Sequence, residues 1–372
     1  MKHLKKISGI LFVCFFFCVQ PVQAAEPVVI GASIPLSGEY AGYGQILKNA
    51  SDLACGEING NGGINGRPLE ILMKDSQGTP NVSKRIARKF GRNPKIVATI
   101  GDFTSSCSMA ARPIYQRESL VQLSPCASHP AFAPGSPFSF TLFETQANVG
   151  KFLAKSVATV IGKKKAAVLY INNDWGLAAR QGFVKAAKEY KIQIVASEGY
   201  LEGAGNFSTI LQKLRDANPD ILYLAVMYKD GTEIFRQKAA MRWDIQTVNP
   251  GPMYSPRLLE EAKDLAEGLI IYTAFFPGSQ RPEIRHFLAG YKEKYGYMPD
   301  MFAAQAYDCV MMLAEAIRKA GTDRSAIRDA LAAIRDFPGV SGSITFDRYG
   351  NVARNLSLIQ IRDNRFVLYS GK

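Results

Sequence analysis

The chain is 372 residues long, with 45 Lys and Arg against 32 Asp and Glu and a formal charge of +13 at pH 7. A basic balance can serve nucleic acid, but no Lys/Arg run here is interleaved with aromatics, and the densest cluster, Lys163-Lys164-Lys165, only precedes an apolar strand. Nucleic acid is therefore not the expected partner, and the charge is assigned to solubility with some bias towards anionic ligands or membranes.

Residues 1–24 read as an export signal rather than as part of the fold. Lys2, Lys5 and Lys6 form a basic start, Ile7 to Val19 an apolar run too short to span a membrane comfortably, and Val22-Gln23-Ala24 a small-residue cleavage site. Neither Cys14 nor Cys18 sits in a lipoprotein box. Cleavage near Ala24 removes three lysines and no acid, so +13 becomes +10, and leaves 372 − 24 = 348 residues. That exceeds one comfortable core, so two domains are expected. Four cysteines remain, Cys55, Cys107, Cys126 and Cys309; no pair has zinc-ligand spacing, and no metal site or cofactor is expected.

Residues 30–79 form the first strand–helix–strand unit. A short apolar strand ends at Ile34-Pro35 and runs into a turn of small residues. A helix follows, then a Gly/Asn turn from Asn59 to Gly66, then a strand from Leu69 that closes at Asp75. Such a unit offers a ligand crevice at the C-terminal end of its strand. Further strands are expected over 28–34, 69–74, 96–100, 121–123, 166–171, 192–197, 221–226 and 268–273. Helical periodicity runs over 44–59, 80–93, 105–118, 147–161, 176–190, 206–217, 230–241, 281–295 and 301–320. Strict alternation, with strands apolar throughout, predicts α/β architecture: parallel sheets with helices on both faces. A break near Thr145–Val149 separates two similar series, as in two doubly wound lobes side by side.

Chemistry concentrates where strands end. Gly101-Asp102-Phe103-Thr104-Ser105-Ser106-Cys107-Ser108 leads from a strand into a helix, and its hydroxyls and first-turn N–H groups can cradle a carboxylate. Simple N-capping would use the same residues. A second turn, Leu123 to Pro130, ends the next strand at the same sheet edge and adds Ala127 and Ser128. Tyr43, Trp175 and Tyr228 each follow a strand, and Phe103 and Met227 could line an apolar wall, with core packing the competing role for each. Cys107 and Cys126 belong to the two turns and either bridge or stay as buried thiols; a bridge would add about 3 kcal/mol. Cys55 and Cys309 read as helix-face packing residues. Cys126 with His129 suggests a thiol enzyme, but no third orienting group is evident, and no nucleophile elbow, P-loop or dinucleotide fingerprint is present. An enzyme is not expected.

Pro35-Leu36-Ser37-Gly38, Gly44, Ala54, Glu57-Ile58-Asn59, the run Gly62 to Gly66 and Asp75 together resemble the solute-binding proteins of branched-chain amino acid ABC transporters, the leucine/isoleucine/valine type. The resemblance continues along nearly the whole mature chain. It implies a type I periplasmic binding protein: two lobes joined by three crossovers, with 26–146 and 276–345 in lobe 1 and 147–275 and 346–372 in lobe 2. It further implies a periplasmic, monomeric receptor that hands a small molecule to a membrane permease, the ligand's carboxylate being gripped at Ser105, Ala127 and Ser128. A sensor of the same fold is the alternative, and a Cys126-dependent hydrolase a more distant one. One departure stands out. The family's amino-acid binders place an acid after the strand near 248 to meet the ligand's ammonium, whereas 248–254 here reads VNPGPMY. Gln146 also stands where a carboxylate is common. Asp102, Asp174 or Asp230 would have to replace the missing acid, or the ligand is an amide, a keto acid or an aromatic acid.

Overall fold

The computed structural model describes residues 25–371; the export signal expected at 1–24 lies outside them. In chain order the first series is β1 (Val28–Ile34), α1 (Ala41–Gly60), β2 (Leu69–Asp75), α2 (Pro80–Gly91), β3 (Ile96–Gly101), α3 (Ser105–Arg117), β4 (Val121–Ser124) and β5 (Ser139–Thr141). These strands form one parallel sheet in the order β2-β1-β3-β4-β5. Every residue of β1, VVIGASI, is buried, as a central parallel strand covered on both faces requires.

The second series is α4 (Gln146–Ser156), β6 (Lys165–Ile171), α5 (Asp174–Glu189), β7 (Gln193–Tyr200), α6 (Ser208–Asp216), β8 (Ile221–Ala225), α7 (Tyr228–Ala240), β9 (Gln246–Asn249), α8 (Pro256–Ala262) and β10 (Ile270–Thr273). The chain then supplies α9 (Pro282–Tyr295), α10 (Met301–Ala320) and α11 (Arg324–Ala332), a small hairpin β11 (Phe337–Gly339) and β12 (Gly342–Ile344), and finally β13 (Ser357–Arg362) and β14 (Arg365–Leu368). Helices α9 and α10 pack on α1, and α11 packs on β3 and β4. The last two strands instead join the second sheet, in the order β14-β13-β10-β9-β8-β6-β7, with β13 antiparallel to β10 and β14 antiparallel to β13. The main chain therefore passes between the two sheet systems after β5, after β10 and after β12. This is the two-lobed α/β architecture with three crossovers.

The cores follow from side-chain periodicity. Helix α1 buries Tyr43, Ile46, Leu47, Ala50, Leu53, Ala54 and Ile58, an i, i+3, i+4 stripe. Helix α10 is buried nearly all round, from Met301 to Ile317, because it lies beneath α1 and beside α11. Two glycines are fixed by close approach. A Cβ on Gly44 would stand 1.7 Å from the Pro35 carbonyl oxygen, where α1 presses on the exit of β1. Gly101 has φ +116°, and a Cβ there would stand 2.0 Å from the Ser33 carbonyl oxygen.

Candidate functional site

Asp102 organises the turn that precedes α3. Its carboxylate accepts from the hydroxyls of Ser33, Ser76 and Ser83 at 3.0, 3.1 and 2.9 Å and from the Phe103 N–H at 2.7 Å. Its own N–H donates to Ser108 Oγ at 3.0 Å, and its carbonyl accepts from Ser124 Oγ at 2.9 Å. Burial pushes this carboxyl up to about 6, against the lowering pull of the serine hydroxyls and the Phe103 N–H. The network is saturated by the scaffold, and it aims Phe103, Thr104, Ser105 and Ser106 outward from β3. Thr104 caps α3 by accepting from the Cys107 N–H at 3.2 Å. The N–H groups of Ser105 and Ser106 are beyond the reach of any carbonyl in the helix.

Across the cleft, Asn173 caps α5 by accepting from the Gly176 N–H at 2.9 Å, which sets Trp175 in the first turn with its ring turned inward. A small cavity lies between the two lobes, with only ≈ 20 Å³ open to a water-sized sphere. Lobe 1 lines it with Phe103, Thr104, Ser105, Ser106, Cys126 and Phe143, joined by Phe302 from α10; lobe 2 contributes Asn173, Trp175, Met227 and Pro252. The space is far below that of a site holding a drug-sized ligand, so admitting a solute requires the lobes to part or the aromatic walls to turn.

Aromatic contacts and hydrogen bonds hold the cleft shut. Tyr43 stacks on Phe103 with centroids 4.4 Å apart and meets Tyr228 edge-on at 5.1 Å. The Tyr43 hydroxyl donates to the Pro252 carbonyl at 2.7 Å and accepts from the Tyr228 N–H at 3.0 Å. Lys229 and Glu39 pair across the cleft at 3.1 Å on the surface.

Phe103, Ser105, Ser106, Trp175 and Met227, all proposed from the sequence, line the cavity; Tyr43, Ala127, Ser128 and Tyr228 do not. Tyr43 and Tyr228 form the bridge beside it. Ala127 is locked in its turn, its N–H bonded to Ser124 Oγ at 2.8 Å and its carbonyl accepting from Thr141 Oγ1 at 2.6 Å. Ser128 lies behind Ser105, donating its N–H to Ser105 Oγ at 3.3 Å and accepting at its own Oγ from Gln146 Nε2 at 3.1 Å.

Of the two alternatives left open for Cys107 and Cys126, the structure has the buried thiols and not the bridge: all four described cysteines are free. The two thiols face different surroundings. Cys107 is buried in the first turn of α3, which Thr104 caps, while Cys126 lines the cavity. Burial pushes the Cys126 thiol up, and His129 is no base for it, since its Nδ1 accepts from the Ala131 N–H at 3.1 Å and burial lowers its affinity for a proton. The proposed substitutes for the missing acid fare no better. Asp102 is held by its serines, Asp174 is exposed, and Asp230 accepts from the Tyr200 hydroxyl at 2.7 Å.

Six lining residues went unassigned as ligand contacts in the sequence reading. Thr104 and Asn173 carried a signal, each being a capping residue between a buried strand and a helix at the crevice. Cys126 was weighed only as a bridge partner for Cys107 and as a nucleophile. Pro252, Phe143 and Phe302 carried none: they lie in loops or begin a distant helix, and only the tertiary fold brings them together.

The model of the family described as periplasmic binding protein matches residues 27–365. The leucine-, isoleucine-, valine-, threonine- and alanine-binding protein of Pseudomonas aeruginosa is 25% identical over 334 residues, covering 89% of this chain and 88% of that one. Among solved structures, the branched-chain amino acid transporter substrate-binding protein LivJ of Streptococcus pneumoniae, in complex with isoleucine, is similar with TM-score 0.86 and 26% identity, covering 92% of this chain and 98% of that one. A solute-binding protein of an ABC transporter from R. palustris, in complex with benzoate, shares the fold with TM-score 0.86 at 20% identity, covering 93% and 96%. The matched family model spans both sheet systems and all three crossovers, and the chain belongs to the periplasmic binding protein family, with its type I fold.

Proposed function

We propose that this protein is the extracytoplasmic receptor of an ABC importer, capturing a small hydrophobic solute that carries a carboxylate and presenting it to membrane permease subunits. The observation that carries the reading is one cavity walled by both lobes, with the Ser105 and Ser106 hydroxyls and N–H groups on one side and an apolar wall on the others. The relatives that bind amino acids or benzoate support a small organic acid as the cargo class. In this reading 26–146 with 276–345 form one lobe and 147–275 with 346–372 the other, and the receptor acts as an exported monomer. Solute docks first at Ser105 and Ser106. Lobe 2 then closes with Trp175 and Met227, a hinge motion that the solute biases by binding the closed form better. No catalytic step is involved.

A thermal-shift screen of the chain from Ala25, refolded to strip carried-over solute, tests this with aliphatic and aromatic acids and amino acids. Ligand at a hundred times its Kd stabilises by about 2.7 kcal/mol. Ser105→Ala is expected to weaken the best binder by about 1–3 kcal/mol through a lost charge-assisted bond. Unchanged affinity in that variant would remove the Ser105 hydroxyl from the site.

A further inference from the structure

We infer that the cleft selects against an α-ammonium group, so that its ligand is an amine-free monocarboxylate with an apolar or aromatic body. The inference rests on the receptor reading above and names the cargo more narrowly.

Among the described residues, no carboxylate lines the cavity. An ammonium closed into it would lose its water and meet Phe, Trp, Met and Pro side chains, a burial that is costly without a counter-charge. The neutral side-chain acceptors on the lobe-2 side are already engaged, Asn173 Oδ1 by the Gly176 N–H. In the loop after β9, which brings Pro252 to the cavity, the Asn249 carboxamide is consumed in shaping the chain. Its Nδ2 donates to the Leu224 and Val226 carbonyls at 2.7 and 3.1 Å, and its Oδ1 accepts from the Gly251 and Met253 N–H groups at 2.8 and 3.1 Å. The Pro252 carbonyl beside it already accepts from Tyr43. The anion side is different, because hydroxyls and free first-turn N–H groups remain at Ser105 and Ser106. The polarity of the cavity is therefore one-sided: its hydroxyls and free N–H groups give a carboxylate several donors, and it offers a cation no counter-charge.

One buried acid in the neighbourhood has an unbonded oxygen. Asp300 caps α10 through Oδ1, which accepts from the Phe302 and Ala303 N–H groups at 2.9 Å each, while Oδ2 has no partner. It stands behind Phe302 and does not line the cavity.

Calorimetry at pH 7.5 with matched pairs decides the matter: 4-methylpentanoate against leucine, and 3-phenylpropanoate against phenylalanine, each pair differing only in the ammonium. The amine-free member is expected to bind at least tenfold more tightly in at least one pair, with neither amino acid preferred over its partner. Pro252→Glu, which sets a carboxylate in the lining, is expected to shift the ratio towards the amino acids. Amino acids binding as well as or better than their partners would overturn the inference while leaving the receptor reading standing. Loss of that binding in Asp300→Asn would name Asp300 as the ammonium acceptor. Saturable binding by no member of either pair, nor by benzoate, would overturn the receptor reading and the inference with it.

Discussion

Tyr43 joins the two lobes at a single oxygen. Its hydroxyl both donates to Pro252 and accepts from Tyr228, so Tyr43→Phe leaves a buried carbonyl and a buried N–H unmet in the closed form. At about 1–3 kcal/mol for such a loss, closure should weaken by about 2 kcal/mol, roughly thirtyfold. Small-angle scattering of the variant with ligand should then show a more open molecule than the parent, whereas equal closure would show that the bridge is incidental. Asp300 makes a second prediction. Burial pushes its carboxyl from 3.8 up to about 7, so the folded state holds the proton more tightly than the unfolded state does. The stability this gives is full below about pH 4 and gone once the pH has risen past 7. Asp300→Asn keeps an oxygen for the cap and never ionises. Between pH 5 and pH 8 the parent should lose stability relative to this variant, by up to a few kcal/mol in denaturant melts; a parent that gains instead would mean the carboxylate finds a cation. At this scale the sequence was only partly legible. Ser105 and Trp175 follow strands and carry their roles locally, but Tyr43 follows a strand too, and only the approach of Pro252, more than two hundred residues away, turns it into a bridge.

At the scale of elements, the alternation of buried strands and amphipathic helices was readable because each strand is apolar throughout and each helix shows one face. Helix α5 begins two residues earlier than its apolar period predicts, at Asp174, where Asn173 caps it. The short strand β5, helix α8 and the C-terminal strands gave too few residues for a period to emerge. Helix α11 did carry a signal, with Asp323 accepting from the Ala326 N–H at 2.8 Å and Ile327 and Leu331 four apart. The turns after β3 and after β4 were legible as neighbours, and the Ser128 N–H joins them at Ser105 Oγ, but whether Cys107 and Cys126 bridge was not; both are free thiols. Thiol titration checks this: four thiols are expected per mature chain in guanidine under non-reducing conditions, with Cys107, Cys126 and Cys309 unreactive in the native state. A count of two in guanidine would restore the bridge.

At the scale of the whole molecule, the two sheets present the ends of their strands to one cleft, and three passages of chain at its back let the lobes move as bodies. The cleft contains one of only two tryptophans, Trp175; the other, Trp243, follows the far end of α7, roughly 20 Å along the helix from Tyr228. Trp243→Phe therefore leaves Trp175, in the cleft, as the single tryptophan. Titrating that variant with 4-methylpentanoate, 3-phenylpropanoate and benzoate, beside calorimetry of the same mixtures, tests the central claim directly. The account expects Trp175 emission to change and saturate with the same Kd as the heat. Saturating heat with unchanged emission would place the solute elsewhere and contradict it.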